Sequence, residues 1–258
     1  ASGRRHQCVE SKGEKIKGKA SGRGHQGEGG IRWECILIDS EELQEKTKDR
    51  WGNEVSYYYC DLEDHNEREA LVSLIKNNHR YINILINNAA FVGTSDLIGC
   101  AVPYPEQSID TWRRAIEVNL TAPFHLVQSL TNELKVSEGA TVINIGSIYG
   151  QYGPDWSLYE GTEMSNPAAY GASKGGLLQL TRWLSSTLAP AIRVNAISPG
   201  GIYRNQPETF VSKYEKRVPL GRMANPDDFR GVLAYLCSDM SEYVTGQIIS
   251  VDGGWGIK

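Results

Sequence analysis

Tyr170 and Lys174 stand four residues apart in the run AAYGASKGGLLQLTRWL, and Ser147 closes the run TVINIGS upstream of it. On a helix, residues four apart share a face. A phenol, an ammonium and a hydroxyl gathered in this way suit proton transfer to or from a carbonyl. The ammonium stabilises phenolate and lowers the tyrosine pKa toward the working pH. The pair alone is a weak signal, because most such pairs lie on helix surfaces. Its surroundings sharpen it. Ser147 stands at a strand end, and Gly171, Ala172, Ser173, Gly175 and Gly176 leave room for another backbone or a flat ring to come close.

Residues 141–202 read as strand, loop, helix and second strand, and they position this trio. Upstream, ECILID is a short strand ending at Asp39, Ser40 caps a helix through EELQEKTKDRW, and VSYYYCDL is a strand ending at Asp61. A helix through EREALVSLIKNN, the strand INILIN and the residues Asn88, Ala89 and Ala90 follow. After a loop over 91–104, a long helical stretch runs from about 108 to 135. It contains Asn119, and Pro123 should bend or restart it. Downstream lie a variable segment (204–217), the helix NPDDFRGVLAYLCSD and a last strand, GQIISVDGG. Short, wholly apolar strands alternating with helices predict an α/β fold, a doubly wound parallel sheet covered on both faces. No internal repeat is present.

The chain has 258 residues, 40% of them hydrophobic, enough for one domain with a full core. A net charge of −4 gives no reason to expect a nucleic-acid or membrane partner. The cysteines at 8, 35, 60, 100 and 237 are odd in number, scattered, and form no CxxC pair. They read as reduced thiols in a cytoplasmic protein. No apolar run reaches membrane length, and no apolar signal-peptide core follows the basic N-terminus.

Residues 1–30 differ from the remainder, 31–258. They hold eight glycines, seven Lys or Arg and three Glu, and their only Val, Ile or Leu residues are Val9 and Ile16. The next thirty residues hold six such aliphatics and five aromatics. Composition alone makes the first thirty a weakly ordered arm.

From about Glu34 onward the chain resembles the short-chain dehydrogenase/reductase family. The residues that carry the resemblance are Asn87-Asn88-Ala89-Ala90, Asn119, Ser147, Tyr170-Gly-Ala-Ser-Lys174, Ser198-Pro199-Gly200-Gly201, Pro219-Leu-Gly-Arg222 and Val251-Asp-Gly-Gly254. In this order they form a highly specific set; Ala90 replaces the family's usual glycine. The resemblance implies a single Rossmann-type domain of about seven strands. It implies Tyr170 as general acid in reduction and general base in oxidation. Lys174 would lower the Tyr170 pKa and hold the nicotinamide ribose, Ser147 would bind the substrate oxygen, and Asn119 would fix a water linking Lys174 to solvent. Asn88, Ala89 and Ala90 would line the adenosine side, and Pro199, Gly200 and Ile202 the nicotinamide side. Asp61 would bond the adenine amino group. Asp39, at a strand end, would bond the ribose 2′-hydroxyl and favour NAD over NADP. The family is usually dimeric or tetrameric, which implies contact through the long helices that carry Asn119 and Tyr170.

The family also needs a central apolar strand followed by a glycine loop. The only sequence available is SKGEKIKGKASGRGHQGEGG. Gly18, Gly22 and Gly24 fit the loop pattern, and Gly18 precedes Asp39 by close to the roughly 20 residues expected. No apolar strand stands before them. Three readings remain open: a working glycine loop, translation of the segment out of frame, and a basic arm.

Ser147 and Tyr170 are 23 residues apart, far more than the family commonly allows. The insertion holds Tyr152, Asp155, Trp156, Tyr159, Glu160 and Glu163, a polar and aromatic mixture that suits a hydroxyl-rich, sugar-like substrate. The patterns SIYG, YEGT, PAAY and PGGI look like members associated with surface-polysaccharide sugars. The expected function is NAD-dependent interconversion of a secondary alcohol and a ketone. The alternatives are a non-catalytic protein of this fold, with its glycine loop spoiled, and a 3-oxoacyl-carrier-type ketoreductase. No metal site is expected.

Overall fold

The computed structural model describes residues 34–39, 47–48, 54–92 and 97–257. The segment 1–30, with Gly18, Gly22 and Gly24, and the Ser40 cap lie outside the described residues. Two compact units divide the chain after Asn78.

In the first unit, β1 (Glu34–Asp39), β2 (Thr47–Lys48) and β3 (Glu54–Tyr59) form a sheet in the order β1-β3-β2. β1 and β3 are parallel, with Glu34 opposite Glu54 and Asp39 opposite Tyr59. Asp39 ends β1 as expected. The helix expected over EELQEKTKDRW does not run through: Thr47 and Lys48 pair antiparallel with Val55 and Glu54. Main-chain pairing with β3 outweighs the modest helix propensity of KTKD, and the β-branched Thr47 fits a strand. The strand expected to end at Asp61 ends at Tyr59. Asp61 sits in the turn that follows, where its carboxylate accepts the Glu63 N–H at 2.9 Å. Asp64 then caps α1 (His65–Asn78), accepting the N–H groups of Asn66 and Glu67 at 2.7 and 3.3 Å. Leu71, Val72 and Ile75 recur at helical spacing and are buried.

In the second unit, β4 (Ile84–Asn87) leads to the long helical stretch, which is broken. Ser108 caps α2 (Ile109–Ile116), accepting from the Asp110 and Thr111 N–H groups. A wide π-turn, Glu117–Thr121, precedes α3 (Ala122–Ser129) and α4 (Thr131–Lys135). Pro123 lies in the first turn of α3, where its missing N–H costs least, so it restarts the helix. Next come β5 (Thr141–Ile145), α5 (Ala168–Leu188), β6 (Arg193–Pro199), α6 (Glu208–Arg217), α7 (Arg230–Leu236) and β7 (Ile248–Val251). The segment expected to be variable thus holds α6, anchored by buried Phe210, Val211 and Tyr214.

Strands β4-β5-β6-β7 form a parallel sheet in that order. Side chains alternate between its faces. Val142 and Val194 pack with Val127, Leu134, Leu184 and Leu188 on one side. Ile143 and Ile197 pack with Leu236 and Ile249 on the other. Both faces are therefore covered, which is why these strands read as unbroken apolar runs. Among the described residues, no helix is long and apolar enough to cross a membrane.

A buried polar chain crosses this core. The Asn87 amide donates to Asn144 Oδ1 at 2.8 Å, Asn144 Nδ2 donates to Thr181 Oγ1 at 2.9 Å, and Thr181 donates to the Leu177 carbonyl at 2.9 Å. It ties β4 to β5 and β5 to α5, and sets how far α5 slides along the sheet. Asn144 is fully buried. Asn144→Ala leaves Asn87 without its acceptor and opens a small void, so a loss of about 2–4 kcal/mol is expected, read from urea unfolding.

Candidate active site

Ser147 follows β5 and begins a tight 3-10 turn, Ile148–Gly150, accepting the Tyr149 N–H at 3.2 Å. This turn lies on α5 with almost no side chain between. A Cβ on Gly150 would come within 2.8 Å of the Lys174 carbonyl carbon, and one on Gly171 within 3.2 Å of the Tyr149 carbonyl oxygen. The small residues around Tyr170 thus serve a backbone-to-backbone approach, and this approach brings Ser147 to Tyr170. The two side chains are hydrogen-bonded. Ser147 is both a turn cap and a partner of the phenol.

Tyr170 and Lys174 share a face of α5 as their spacing predicts, with Lys174 Nζ 6.0 Å from the Tyr170 ring centre. Lys174 is 1% exposed, and its ammonium donates to the Ile145 carbonyl at 2.6 Å. Burial pulls its pKa down to about 8 from the usual 10.5. Burial pushes the Tyr170 phenol up; the Ser147 hydrogen bond and the charge of Arg204 pull it down. The Lys174 ammonium is turned to the Ile145 carbonyl.

Asn119, on the π-turn and 1% exposed, has its side chain fully engaged. Its Oδ1 accepts the Phe91 N–H at 2.7 Å, and its Nδ2 donates to the Phe91 carbonyl and to Ser173 Oγ, both at 2.9 Å. Ser173 in turn donates to the Tyr170 carbonyl at 3.0 Å. Asn119 thus clamps the segment after Ala90 onto the helix that carries Tyr170, a structural link that its place in the motif did not signal. Asn88 and Ala89 are exposed at the end of β4, and Ala90 is half-buried.

Pro199 ends β6, and the next turn is held from below. Tyr214 Oη accepts the Gly201 N–H at 2.5 Å, and a Cβ on Gly200 would meet the Asp252 Cα at 2.8 Å. Ile202 pairs with Ala224. Lys174, with a single acceptor for its ammonium among the described residues, and the half-buried turn of Gly200 and Gly201 fit the ribose and nicotinamide of a dinucleotide. Gly18, Gly22 and Gly24 lie outside the described residues.

The insertion divides its labour. Tyr152, Trp156, Tyr159 and Glu163 line a cavity of about 690 Å³, together with Tyr104, Gln107, Tyr149, Asn166 and Gly171. Asp155 and Glu160 turn instead to α6, 3.7 Å from Arg217 and 3.8 Å from Lys213. The Tyr149 and Tyr159 hydroxyls are 2.7 Å apart, and burial raises both phenols. Gly171, in the cavity lining, is the next residue after Tyr170 on α5.

The model of the family described as Enoyl-(Acyl carrier protein) reductase matches residues 33–256. The chain belongs to the short-chain dehydrogenase/reductase family. It is 31% identical to a 2-dehydro-3-deoxy-D-gluconate 5-dehydrogenase of Pseudoalteromonas atlantica, covering 85% of this chain and 82% of that one. It is 29% identical to the 3-oxoacyl-[acyl-carrier-protein] reductase of Thermotoga maritima, covering 84% of each. Among solved structures it is similar to a short-chain dehydrogenase from Leptospira borgpetersenii with bound NAD+, with 32% identity and a TM-score of 0.74 over 85% of this chain and 82% of that one. The fold class is the expected Rossmann-type α/β fold. As a short-chain dehydrogenase/reductase the protein is an oxidoreductase of the alcohol–ketone type, and the motifs that announced it assemble in one place.

The buried lysine of this short-chain dehydrogenase/reductase works against its own fold. The unfolded chain keeps its proton up to about pH 10.5 and the folded chain only to about pH 8. Below pH 8 this disfavours folding by about 3 kcal/mol at most, and the penalty fades as pH rises through that window. Lys174→Met should therefore abolish turnover yet melt no lower than the parent protein at pH 7. Its relative advantage should shrink between pH 8 and 10.5, as thermal melts across that range would show.

Proposed function

We propose that the protein interconverts a secondary alcohol and a ketone on a polar, sugar-like substrate, with NAD in preference to NADP. The observation that carries the reading is the hydrogen-bonded pair of half-buried Tyr170 and buried Ser147, with buried Lys174 on the same helix face. The dinucleotide, when bound, supplies the hydride acceptor or donor. All else falls to this chain. Ser147 and Tyr170 present two hydroxyls to a substrate oxygen, which takes the place of their mutual hydrogen bond. In reduction Tyr170 delivers the proton from Oη as the carbonyl oxygen gains charge. In oxidation it removes the hydroxyl proton and so must first be phenolate. When the dinucleotide is bound, the remaining N–H groups of Lys174 would hold its ribose, and Gly200 and Ile202 would hold the nicotinamide. Asn119 holds the segment after Asn88, Ala89 and Ala90, which borders the adenosine; the relay from Asn119 to Lys174 runs from its backbone, since its side chain is engaged.

Asp39 at the end of β1 supports the preference for NAD, because a carboxylate there repels a 2′-phosphate. Asp61 meets the adenine in this reading. The aromatic and amide lining of the cavity supports a hydroxylated substrate, as does the sugar-derived substrate named for the Pseudoalteromonas relative. The likeness to the Thermotoga reductase favours a second reading, a 3-oxoacyl-carrier ketoreductase, which acetoacetyl-CoA as substrate would reveal. The active form is a homodimer or homotetramer joined through the helices of Asn119 and Tyr170. Trp112, Phe124 and Trp183 are exposed on α2, α3 and α5.

Calorimetry should find NADH bound at least about tenfold more tightly than NADPH, a difference of about 1.4 kcal/mol. Binding of neither by the folded protein would establish the non-catalytic alternative. Tyr170→Phe should lose at least about 100-fold in turnover while keeping NADH affinity, consistent with the removal of a general acid–base. Because burial raises the phenol, alcohol oxidation should climb with pH through the alkaline range while ketone reduction does not. Substantial activity in Tyr170→Phe would end the assignment of Tyr170.

A further inference from the structure

Two phenols and an amide meet in the cavity wall. Tyr149 and Tyr159 are half-buried, Asn166 is buried, and all three line the cavity. The Tyr149 and Tyr159 hydroxyls lie 2.7 Å apart, and Asn166 Nδ2 donates to Tyr159 Oη at 3.4 Å. Two phenols carry two protons, and their mutual hydrogen bond uses one. The other proton has no acceptor among the described residues, and Asn166 Oδ1 has no donor among them. A donor and an acceptor so enclosed, each with hydrogen-bonding capacity to spare, are costly to leave unmatched. Burial raises both phenols, so they remain O–H donors at neutral pH.

The cluster is held firmly and beside the reacting groups. Tyr149 stands two residues after Ser147, on the turn that rests on α5. There a Cβ on Gly171 would come within 3.2 Å of the Tyr149 carbonyl oxygen, and Gly171 follows Tyr170 and lines the same cavity. Asn166 precedes Pro167, whose carbonyl accepts the Tyr170 N–H at 3.0 Å. The Tyr159 ring packs on Trp156 and Phe210 with centroids 5.8 and 5.4 Å away. The lining contains no Lys, Arg or His among the described residues, and its one charged residue is Glu163. A neutral polar group suits such a wall better than a carboxylate or a phosphate, which would find no cation there.

We infer that Tyr149, Tyr159 and Asn166 together bind a hydroxyl of the substrate other than the one that reacts, and so select a polyhydroxylated compound over one whose remaining chain is apolar. A hydroxyl accepts one hydrogen bond and donates another. The phenol pair supplies the donor and Asn166 Oδ1 the acceptor. An acyl chain supplies neither partner and would leave both protein groups unmatched. This deepens the oxidoreductase reading above and rests on it for the identity of the reacting group.

The test sets D-glucitol, D-mannitol and galactitol against 1,2-hexanediol, which keeps a carbinol and lacks the distal hydroxyls. Binding to the full chain is measured by calorimetry with NADH present and absent. The proteins are the parent, Tyr149→Phe, Tyr159→Phe and the double variant. At least one polyol should bind the parent at least about tenfold more tightly than the diol. The double variant should lose that preference. Each single variant should lose part of it, because the remaining phenol still donates. Thermal melts and NADH affinity identify the variants that fold; if the double variant does not, the two single variants decide. A purely structural role for the phenols would weaken polyol and diol alike, and that result overturns the proposal. So does the absence of a polyol preference in the parent, or a preference that survives the loss of both phenols. Oxidation with NAD is followed in parallel and reads the other question. A phenol-dependent polyol preference without any turnover removes the oxidoreductase reading alone. Turnover of polyol and diol with equal kcat/KM removes the role of the cluster alone.

Discussion

The catalytic arrangement depends on two backbones touching. The turn after β5 rests on α5 at Gly150, Gly171 and Gly175, and the Gly150 position leaves no room even for a methyl group. A contact of this kind has no side-chain freedom to absorb error. It therefore sets the distance from Ser147 to Tyr170 more tightly than any side-chain packing could. The Asn119 clamp acts on the same helix from the opposite side, through Ser173 and the Tyr170 carbonyl. Between them the phenol is aimed from both directions.

That rigidity holds groups in states they would not choose in water. Burial favours the neutral forms of both Lys174 and Tyr170, so the pair works against the charges its chemistry needs. A lysine that keeps its proton below about pH 8 and a phenol that keeps its own to higher pH together favour the acid form of the site. This suits delivery of a proton to a carbonyl without further adjustment. Removal of a proton from an alcohol needs help that lowers the phenol pKa, and the Ser147 hydrogen bond acts in that direction. Stability is spent on function at Lys174, a common pattern at catalytic positions.

The insertion is part of the fold. Trp156, Tyr159, Phe210, Tyr214 and Trp255 form a ladder of ring contacts with centroid spacings of 5.8, 5.4, 6.0 and 5.0 Å, closed by Arg217 at 4.8 Å above Trp255. The ladder joins the insertion to α6 and to the last turn of the chain. It also places Tyr214 under Gly201, so the turn that carries Arg204 and the wall that carries Tyr159 share one support. This part of the cavity wall thus depends on a single aromatic stack rather than on independent loops.

Local rules in the sequence determined the shared helix face of Tyr170 and Lys174, the parallel α/β pattern and the restart at Pro123. Each depends on residue type and short spacing: a helix puts positions four apart on one face, and an apolar run long enough for one strand is buried on both sides. What failed depended on partners distant in the chain. Thr47 and Lys48 joined a strand because β3 offered its edge, and Asp61 fell into a turn because α1 begins beside it. Residues 204–217 looked featureless because α6 owes its place to Trp255 and the insertion rather than to its own sequence. The acceptor of the Lys174 ammonium was decided by tertiary structure alone. Lys174 is four residues from Tyr170 on the same helix, yet its ammonium turns to the Ile145 carbonyl, 29 residues back in the chain. Spacing says which side chains can meet. Only the packed structure decides which acceptor a buried ammonium takes, because each carbonyl left without water competes for it.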